Sequence, residues 1–265
     1  ARLQIPQIEV AAGETQQGLQ VALIVRHLQA LSAGDMEKLK AFAEQQQCDM
    51  YLQPGNPDSI HKIWPADSIQ RLVYFLPDYH LEMLFHPIDF TQVNAEINRK
   101  IIPLAIELLA PHQDDRVLDL FCGLGNFTLP LARFCRAVTG IEGSEEMVQR
   151  ARENALRNQI SNVEFHTANL LESFAAAPWV GSGFNRVLLD PPRSGAQEII
   201  PLIANLRPVR VVYISCNPAT LARDAASFEI SGYQLVKAGV MDMFPQTAHV
   251  ESIAVFEPAH GRTRK

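Results

Sequence analysis

From about residue 92 onward, strand-like apolar runs alternate with helix-like runs several times in succession. The pattern predicts strands at 116–121, 137–142, 162–168, 186–190 and 209–215. It predicts helices at 92–109, 127–135, 144–158, 196–206 and 218–231. Strands that alternate with helices in this way form a mostly parallel, doubly wound sheet with helices on both faces. Two further strands near 233–243 and 250–256, with no clear helix between them, predict a C-terminal antiparallel hairpin on an α/β, Rossmann-like sheet.

The first third of the chain has a different pattern. A helix is expected at 32–47, where capping residues precede apolar positions at helical spacing. Short strands are expected at 3–10, 19–26, 48–54, 71–75 and 80–85. We therefore predict a small α+β domain at 1–88 and a larger domain at 89–265, with the boundary near Pro87.

Composition narrows the possible functions. The four cysteines lie far apart and include no C-x-x-C pair, which argues against a zinc site, an iron–sulfur cluster and a disulfide scaffold. No apolar run is long enough to cross a membrane, and we expect a cytoplasmic protein. The net charge of −6 argues only weakly against nucleic-acid binding, because a local basic patch is sufficient. One small patch of this kind is the basic tail at 260–265.

The strongest motif is VLDLFCGLGNFTLPLA at 117–132, a strand followed by a glycine-bearing turn and a helix. Gly123 and Gly125 allow a ligand to approach the backbone, and Glu142 at the end of the next strand can accept hydrogen bonds from both hydroxyls of a ribose. The alternative is a tight turn beside an exposed acid. A dinucleotide site would have a third glycine where Thr128 stands, whereas Asp119 suits the ammonium of S-adenosylmethionine.

Three other stretches place reactive side chains at the end of a predicted strand or within one. LLDPPRSG (188–195) places Asp190 before two prolines at the carboxyl end of a strand, where open α/β sheets bind ligands; the alternative is a solvated turn. YISCNPATLARD (213–224) places Cys216 before a helix, whose N-terminus would favour the thiolate, although single cysteines usually only pack. TAHVESIAVFE (247–257) carries Glu251 in a strand, where a buried acid is costly unless it functions or is paired. His249, two residues earlier and on the same strand face, is expected to make a structural hydrogen bond.

In this order, the four stretches resemble the motifs of the bacterial RNA 5-methyluridine methyltransferases. DFTQVN (89–94) and DMFPQTAHVES (242–252) resemble further motifs of that family, and the likeness runs from about 89 to 257. The sequences of these motifs are most similar to those of the enzymes that methylate 23S ribosomal RNA. The first third of the chain is similar to the central domain of those enzymes. Those enzymes also carry an N-terminal barrel and a four-cysteine motif, which this sequence lacks. We therefore expect no iron–sulfur cluster in this chain. We also expect the chain to be either a shortened relative of those enzymes or a part of a longer protein.

The resemblance implies a class I methyltransferase with S-adenosylmethionine as its cofactor, RNA as its partner and no metal. It implies that Cys216 is the nucleophile and Glu251 the base, with Asp190 also in the catalytic site. It implies contacts to S-adenosylmethionine, or positions bordering its pocket, for Gln92, Phe121, Asn126, Glu142, Asn169 and Asp190.

The leading hypothesis is therefore methyl transfer to C5 of a uridine in 23S ribosomal RNA through a covalent cysteine–C6 intermediate, carried out by a monomer. The related transfer RNA enzyme is one alternative, and a catalytically silent RNA-binding fragment is a second. An NAD-dependent dehydrogenase is a third, which only the G-x-G pattern and the downstream acid favour.

Overall fold

The computed structural model describes residues 4–16, 18–67, 71–170 and 177–259. The chain divides into two units, the first formed by 1–75 with 82–91 and the second by 76–81 with 92–265. The domain boundary drawn from the sequence between residues 88 and 89 stays a prediction.

The first unit contains a four-stranded mixed sheet in the order β1-β2-β3-β4. Strand β1 (Gln7–Thr15) pairs antiparallel with β2 (Gly18–Arg26) along its whole length. Helix α1 (Ala33–Gln46) then returns the chain to β3 (Asp49–Gln53), which runs parallel to β2, and β4 (His61–Trp64) pairs antiparallel with β3. The predicted α+β character is confirmed, but β4 was not expected, and β1 begins and ends later than the predicted strand at 3–10.

Local signals explain the ends of α1. The Ser32 hydroxyl accepts a hydrogen bond from the Asp35 amide at 3.2 Å, and Gln47 adopts a left-handed conformation that ends the helix. Ala43 faces the sheet and packs against Val25 and Met50, so the helix covers one face of a small apolar core. A separate two-stranded ribbon follows, formed by β5 (Leu72–Leu76) and β6 (Leu81–Phe85).

The second unit is built on a sheet that has seven strands in the described residues. The strands are β7 (Arg116–Leu120), β8 (Ala137–Glu142), β9 (Val163–Thr167), β10 (Arg186–Leu189), β11 (Arg210–Ser215), β12 (Tyr233–Met241) and β13 (Glu251–Pro258). The helices are α2 (Ala95–Leu109), α3 (Thr128–Leu131), α4 (Glu145–Arg157), α5 (Ile200–Asn205) and α6 (Pro218–Ile230). Strands β7, β10 and β11 are buried along almost all of their length, as expected for strands covered on both faces.

The strand order is β12-β13-β11-β10-β7-β8-β9. The five strands β9, β8, β7, β10 and β11 are parallel, whereas β13 is antiparallel to both β11 and β12. The predicted α/β fold with a C-terminal antiparallel hairpin is therefore confirmed. The chain proceeds from β7 outward in one direction and from β10 outward in the other, so the topological switch point lies between β7 and β10. Ligands of open α/β sheets bind at the carboxyl edge of such a point.

Two helices are shorter than predicted. The helix expected at 127–135 is a single α-helical turn, Thr128–Leu131, which contains Pro130 and is followed by isolated turns. The helix expected at 196–206 begins as a 3₁₀ turn at Gln197–Ile199 and is α-helical only at Ile200–Asn205.

Candidate active site at the carboxyl edge of the sheet

The chain turns sharply where β7 ends. Phe121, Gly123 and Gly125 all have positive φ angles, of 63°, 54° and 88°. A β-carbon at Gly125 would lie 3.2 Å from the Leu129 side chain, so glycine is favoured there by both conformation and space. Because α3 is only one turn long, the helix N-terminus expected after this motif contributes little charge, and the turn itself is the main feature.

Glu142 ends β8 and ties this turn to its neighbours. One carboxylate oxygen accepts the Gly123 amide at 3.1 Å, and the other accepts the amides of Gly143 at 2.7 Å and Ser144 at 3.1 Å. A carboxylate has about four acceptor sites, so roughly one stays available to a ligand hydroxyl. The sequence predicted only a ligand contact for Glu142, and the structure adds a role in holding the turn.

Asp119 lies beneath the turn and is only 1% exposed. Its Oδ2 accepts a hydrogen bond from the Thr128 hydroxyl at 2.6 Å, whereas its Oδ1 has no hydrogen-bond partner among the described residues. Burial raises the pKa of Asp119 to about 7; the bond from Thr128 opposes this shift, and the Glu142 charge adds to it. A buried carboxyl with an open acceptor suits a cationic donor such as an ammonium group.

Side-chain amides border the same edge. The Asn126 amide exchanges two hydrogen bonds with Asn98 of α2, at 2.9 and 3.0 Å. The Gln92 amide donates to the Asp190 carboxylate at 3.4 Å. Asn169 is exposed two residues beyond the end of β9. Each residue predicted to contact the cofactor thus lies near or beyond the carboxyl end of a strand, or on a segment that contacts such a strand end. Asn98 was missed, because a buried amide inside a helix has no distinctive sequence pattern.

Asp190 follows β10 on the other side of the switch point. Its backbone amide donates to the carbonyl of Leu120 at 3.3 Å, which joins the ends of the two strands. Burial raises the pKa of its carboxyl well above the usual range, and the charges of Glu251 and then Asp119 act in the same direction. Asp190 therefore lies between two parts of the site. Its backbone contacts the strand that leads into the glycine turn, and its carboxyl is close enough to Glu251 and Asp119 for their charges to affect it.

Strand pairing brings Cys216 and Glu251 together. Ser215 of β11 and Ser252 of β13 are register partners, and the Ser252 hydroxyl donates to the Ser215 carbonyl at 3.1 Å. Cys216 is the next residue after Ser215, and Glu251 is the residue before Ser252 on the antiparallel strand. Glu251 is 4% exposed, and burial raises its pKa to about 7.

The thiol of Cys216 does not have the lowered pKa that the sequence predicted. Burial raises the pKa of this thiol, the charges of Glu251 and Asp190 raise it further, and only Arg193 among the named neighbours opposes them. The N-terminus of α6 is outweighed by burial and two nearby acids. Of the four cysteines, Cys216 is the half-exposed one, and the other three are buried.

A cavity of about 300 Å³ opens beside Cys216, lined by Arg193, Cys216, Asn217, Pro218, Ala248, His249 and Val250. His249 was expected to share a strand face with Glu251, but β13 begins only at Glu251, so His249 lies in the preceding bend. It is exposed there, its ring contacts Phe244 edge-on at a centroid distance of 5.8 Å, and its backbone amide donates a hydrogen bond to the Thr247 hydroxyl at 3.2 Å.

Sequence reasoning also missed the side chains that hold the segment after Asp190 against α6. The buried Asp224 and its neighbour Arg223 make these contacts. An Arg-Asp pair inside a predicted helix resembles an ordinary surface ion pair, so only the tertiary structure shows its function.

Within the described ranges, no helix is long and apolar enough to span a bilayer. The same part of the chain has no group of three or more His, Cys, Asp or Glu side chains arranged to hold a metal ion.

Comparisons with known proteins identify relatives of the chain. The chain is 52% identical over 257 residues to the 23S rRNA (uracil(1939)-C(5))-methyltransferase RlmD of Alcanivorax borkumensis, covering 97% of this chain and 57% of that protein. It is 54% identical over 260 residues to the protein of the same name from Hahella chejuensis, covering 96% of this chain and 57% of the relative. The chain thus spans a little over half the length of the curated relatives it matches.

A solved structure shows the fold. The tRNA (uracil-54, C5)-methyltransferase of Pyrococcus abyssi, solved in complex with S-adenosyl-L-homocysteine, superposes with a TM-score of 0.71 at 24% identity, covering 92% of this chain and 58% of that one. At this identity the likeness establishes the class I methyltransferase fold.

The motifs, the strand ends that carry them and the fold all point to one group of proteins. Residues 16–178 and 180–258 match the sequence pattern of a single family, which is described as tRNA (Uracil-5-)-methyltransferase. This match covers most of the chain, and relatives more than half identical to it extend over nearly all of it. The chain therefore belongs to the tRNA (uracil-5-)-methyltransferase family.

Proposed function

We propose that the carboxyl edge of the second unit binds S-adenosylmethionine between the glycine turn and Asp190. The fit rests on the open acceptor of buried Asp119, which suits the ammonium group, and on the remaining acceptor capacity of Glu142, which suits a ribose hydroxyl. When bound, S-adenosylmethionine supplies an electrophilic methyl group. The Asn126 amide and the Phe121 side chain border the turn, and Gln92 and Asn169 lie at the edges of the same region.

We further propose that the acceptor is C5 of a uridine in 23S ribosomal RNA. Relatives that carry a 23S rRNA uracil-5 methyltransferase name are 52% and 54% identical to this chain, whereas the transfer RNA enzyme of known structure is 24% identical. This difference favours ribosomal over transfer RNA. The target base has to leave its stack to reach the cavity beside Cys216, which favours flexible or single-stranded RNA. Action in the cytoplasm and as a monomer stays a prediction.

The juxtaposition of Cys216 and Glu251 at neighbouring strand ends is the observation that carries the proposed reaction. C5 of uracil is a poor nucleophile. Addition of the Cys216 thiolate to C6 transfers the electron pair of the C5–C6 double bond into an enolate, so that C5 becomes nucleophilic and accepts the methyl group. Removal of the C5 proton then restores the double bond and expels the thiolate.

The protonation states of the two acids fit these steps. A base with a pKa of about 7 is about half deprotonated at neutral pH and is a stronger base than an ordinary carboxylate, which suits the role of accepting the C5 proton proposed for Glu251. Burial and the charges of Glu251 and Asp119 raise the pKa of Asp190, so its carboxyl keeps a proton to a higher pH than an exposed acid does, and in its neutral form it can donate a hydrogen bond to a uracil oxygen that gains negative charge. The thiol of Cys216 must lose its proton on substrate binding, because nearby acids disfavour the thiolate in the free chain.

Nucleoside mass spectrometry tests this function. Ribosomal RNA and transfer RNA lacking the modification are incubated with the chain and methyl-labelled S-adenosylmethionine, then digested and analysed. We expect labelled 5-methyluridine from 23S ribosomal RNA, none with Cys216→Ala, and wild-type yield with Cys48→Ala, in which a buried cysteine of the first unit is replaced. Labelled 5-methylcytidine, or methyluridine from Cys216→Ala, would contradict the proposal. RNA binding without any labelled nucleoside would favour the silent RNA-binding alternative.

A further inference from the structure

Asp224 of α6 is fully buried and collects hydrogen bonds from three directions. Its Oδ2 accepts the Ala196 amide at 2.7 Å and the Tyr213 hydroxyl at 2.6 Å, and its Oδ1 accepts Arg223 Nε at 2.9 Å and Nη2 at 2.6 Å. The Tyr213 side chain is part of β11 and Ala196 belongs to the segment after Asp190. One carboxylate thus connects a strand, a helix and the loop 190–196.

Further contacts attach the same loop to α6. Arg223 Nη2 donates to the Ser194 carbonyl at 2.8 Å, and the Asn217 amide donates to the Arg193 carbonyl at 3.2 Å. Gly195 has a φ of 82°, and a β-carbon there would lie 2.6 Å from both Arg223 Nη2 and Asp224 Oδ2. The loop therefore packs so closely against these side chains that a β-carbon at residue 195 has no space. We call Tyr213, Asn217, Arg223 and Asp224 the loop clamp.

The loop clamp joins the two halves of the proposed catalytic site. Cys216 lies between two of the elements that the clamp uses, at the end of β11 and just before α6. The loop carries Asp190 at one end and Arg193 in its middle, and both act on the Cys216 thiol. Asp224 is buried whereas Arg223 is partly exposed, and such an ion pair is weak evidence for stability, because the desolvation cost of the acid offsets much of the attraction. Such a pair can nevertheless fix the relative positions of the segments it joins, because each of its side chains makes directional hydrogen bonds.

We propose that Asp224, together with Arg223, is a positioning residue that sets the placement of Asp190 and Arg193 relative to the Cys216 thiol and thereby controls the reactivity of that thiol. The proposal rests on the proposed function for its catalytic consequence. The charged groups that face Cys216 are Asp190 and Arg193 from the loop and Glu251 from β13, with the N-terminus of α6 beside them. Of these groups, only Asp190 and Arg193 are carried by the loop, so only their positions depend on the loop clamp.

Alkylation of Cys216 measures this placement without RNA. Asp224→Asn keeps the shape of the side chain, but one amide oxygen cannot satisfy the donors that the carboxylate accepts. The loosened loop should withdraw both Asp190 and Arg193, whose charges act on the thiol pKa in opposite directions, and should expose the thiol. Because burial is the largest cause of the raised pKa, the apparent pKa of the thiol should fall toward the usual value. Peptide mass mapping after iodoacetamide treatment at pH 7.5 should then show labelling of Cys216 at least about three times faster than in the wild type. The three buried cysteines should stay unlabelled.

The catalytic consequence is measured in parallel. Asp224→Asn should lower kcat for RNA methylation by at least about tenfold, as expected for a misplaced catalytic group. Its affinity for S-adenosylhomocysteine should fall by a smaller factor than kcat does, because the clamp holds Asp190 at one border of the proposed cofactor site but does not hold Glu142 or the glycine turn. Gly195→Ala pushes on the clamp from the loop side and should give the same pair of effects, which keeps the proposal testable if Asp224→Asn fails to fold.

Asp115 provides a matched control at the opposite end of the sheet. It is also a buried acid paired with an arginine, Arg186, and it accepts the His112 amide at 2.7 Å. Asp115→Asn should leave Cys216 labelling at the wild-type rate even if it lowers stability. Wild-type labelling in both Asp224→Asn and Gly195→Ala would overturn the proposal, as would equal acceleration in Asp115→Asn. If the wild-type chain makes no 5-methyluridine, the proposed function fails, while the labelling results still decide the role of the clamp.

Discussion

At the residue scale, the site is defined by three acids, of which two are buried and one is half-buried, and none of them forms an ion pair with another described residue. The pKa of Asp119 and that of Glu251 are both raised to about 7, and that of Asp190 is raised well above its usual range. Burial is the largest cause in each case. Strongly shifted acids of this kind cluster at functional sites, since a fold gains no stability from leaving them unpaired. The sequence singled out Asp119 as an acid before the glycine turn, Asp190 as an acid at a strand end and Glu251 as an acid within a strand. Their protonation depends on neighbours that only the fold supplies.

Glu251 should make stability depend on pH in a defined direction. Its pKa is about 7 in the folded chain against a usual value of 4.5, so between those values the folded state holds a proton that the unfolded state has lost. The contribution of Glu251 to stability is therefore full below about pH 4.5 and is lost as the pH rises to about 7, in total roughly 3 kcal/mol. Urea unfolding of the wild type and Glu251→Gln at pH 5 and pH 8 tests this. The wild type should lose stability relative to the variant at the higher pH, and a difference independent of pH would contradict the burial of an ionisable group.

At the element scale, the strands of the second unit could be predicted because strands buried on both faces are continuous apolar runs bounded by turns. The helices between them were less predictable where tertiary contacts compete. The segment after the glycine turn looks helical from 127 to 135, yet Pro130 and the close packing of the turn restrict α3 to Thr128–Leu131. In the first unit, β1 extends through Ala11–Thr15, most of which have little strand preference, because these residues pair with β2. Strand β4 is short and polar at its start, and pairing with β3 is what makes it a strand.

The glycine turn gives a prediction with a control on the same fold. Gly125 and Gly232 have similar φ angles of 88° and 90°, but a β-carbon at Gly232 would meet nothing within 4 Å. Gly125→Ala and Gly232→Ala should therefore both lose about 1–2 kcal/mol of stability through backbone strain. Only Gly125→Ala should also weaken S-adenosylhomocysteine binding, by about tenfold or more, because the proposed cofactor site surrounds that turn. Equal affinities in isothermal titration calorimetry would place the cofactor elsewhere.

At the scale of the whole molecule, the proposed function depends on five strands that are spread over the second unit of the chain. Strands β7 and β8 carry Asp119 and Glu142, β10 leads to Asp190, and β11 leads to Cys216. Glu251 comes from β13, which inserts beside β11 although it is the last strand in the chain. No pattern in the sequence shows that Cys216 and Glu251 are neighbours, because they are brought together by an antiparallel pairing between strands separated by a helix and β12. The family resemblance predicted their roles, and the sheet topology explains how these two residues come to lie at neighbouring strand ends.

The most direct test of this account is the trapping of the covalent intermediate with Glu251→Gln. If Cys216 adds to C6 and Glu251 removes the C5 proton, the variant should complete addition and methyl transfer but stall before elimination. Incubation with substrate RNA and labelled S-adenosylmethionine should then give a methylated RNA–protein adduct that survives denaturing electrophoresis and maps to the Cys216 peptide. The adduct should be absent when Cys216→Ala is combined with Glu251→Gln. A labelled adduct at another residue, or full turnover by Glu251→Gln without any adduct, would contradict the proposed roles of Cys216 and Glu251.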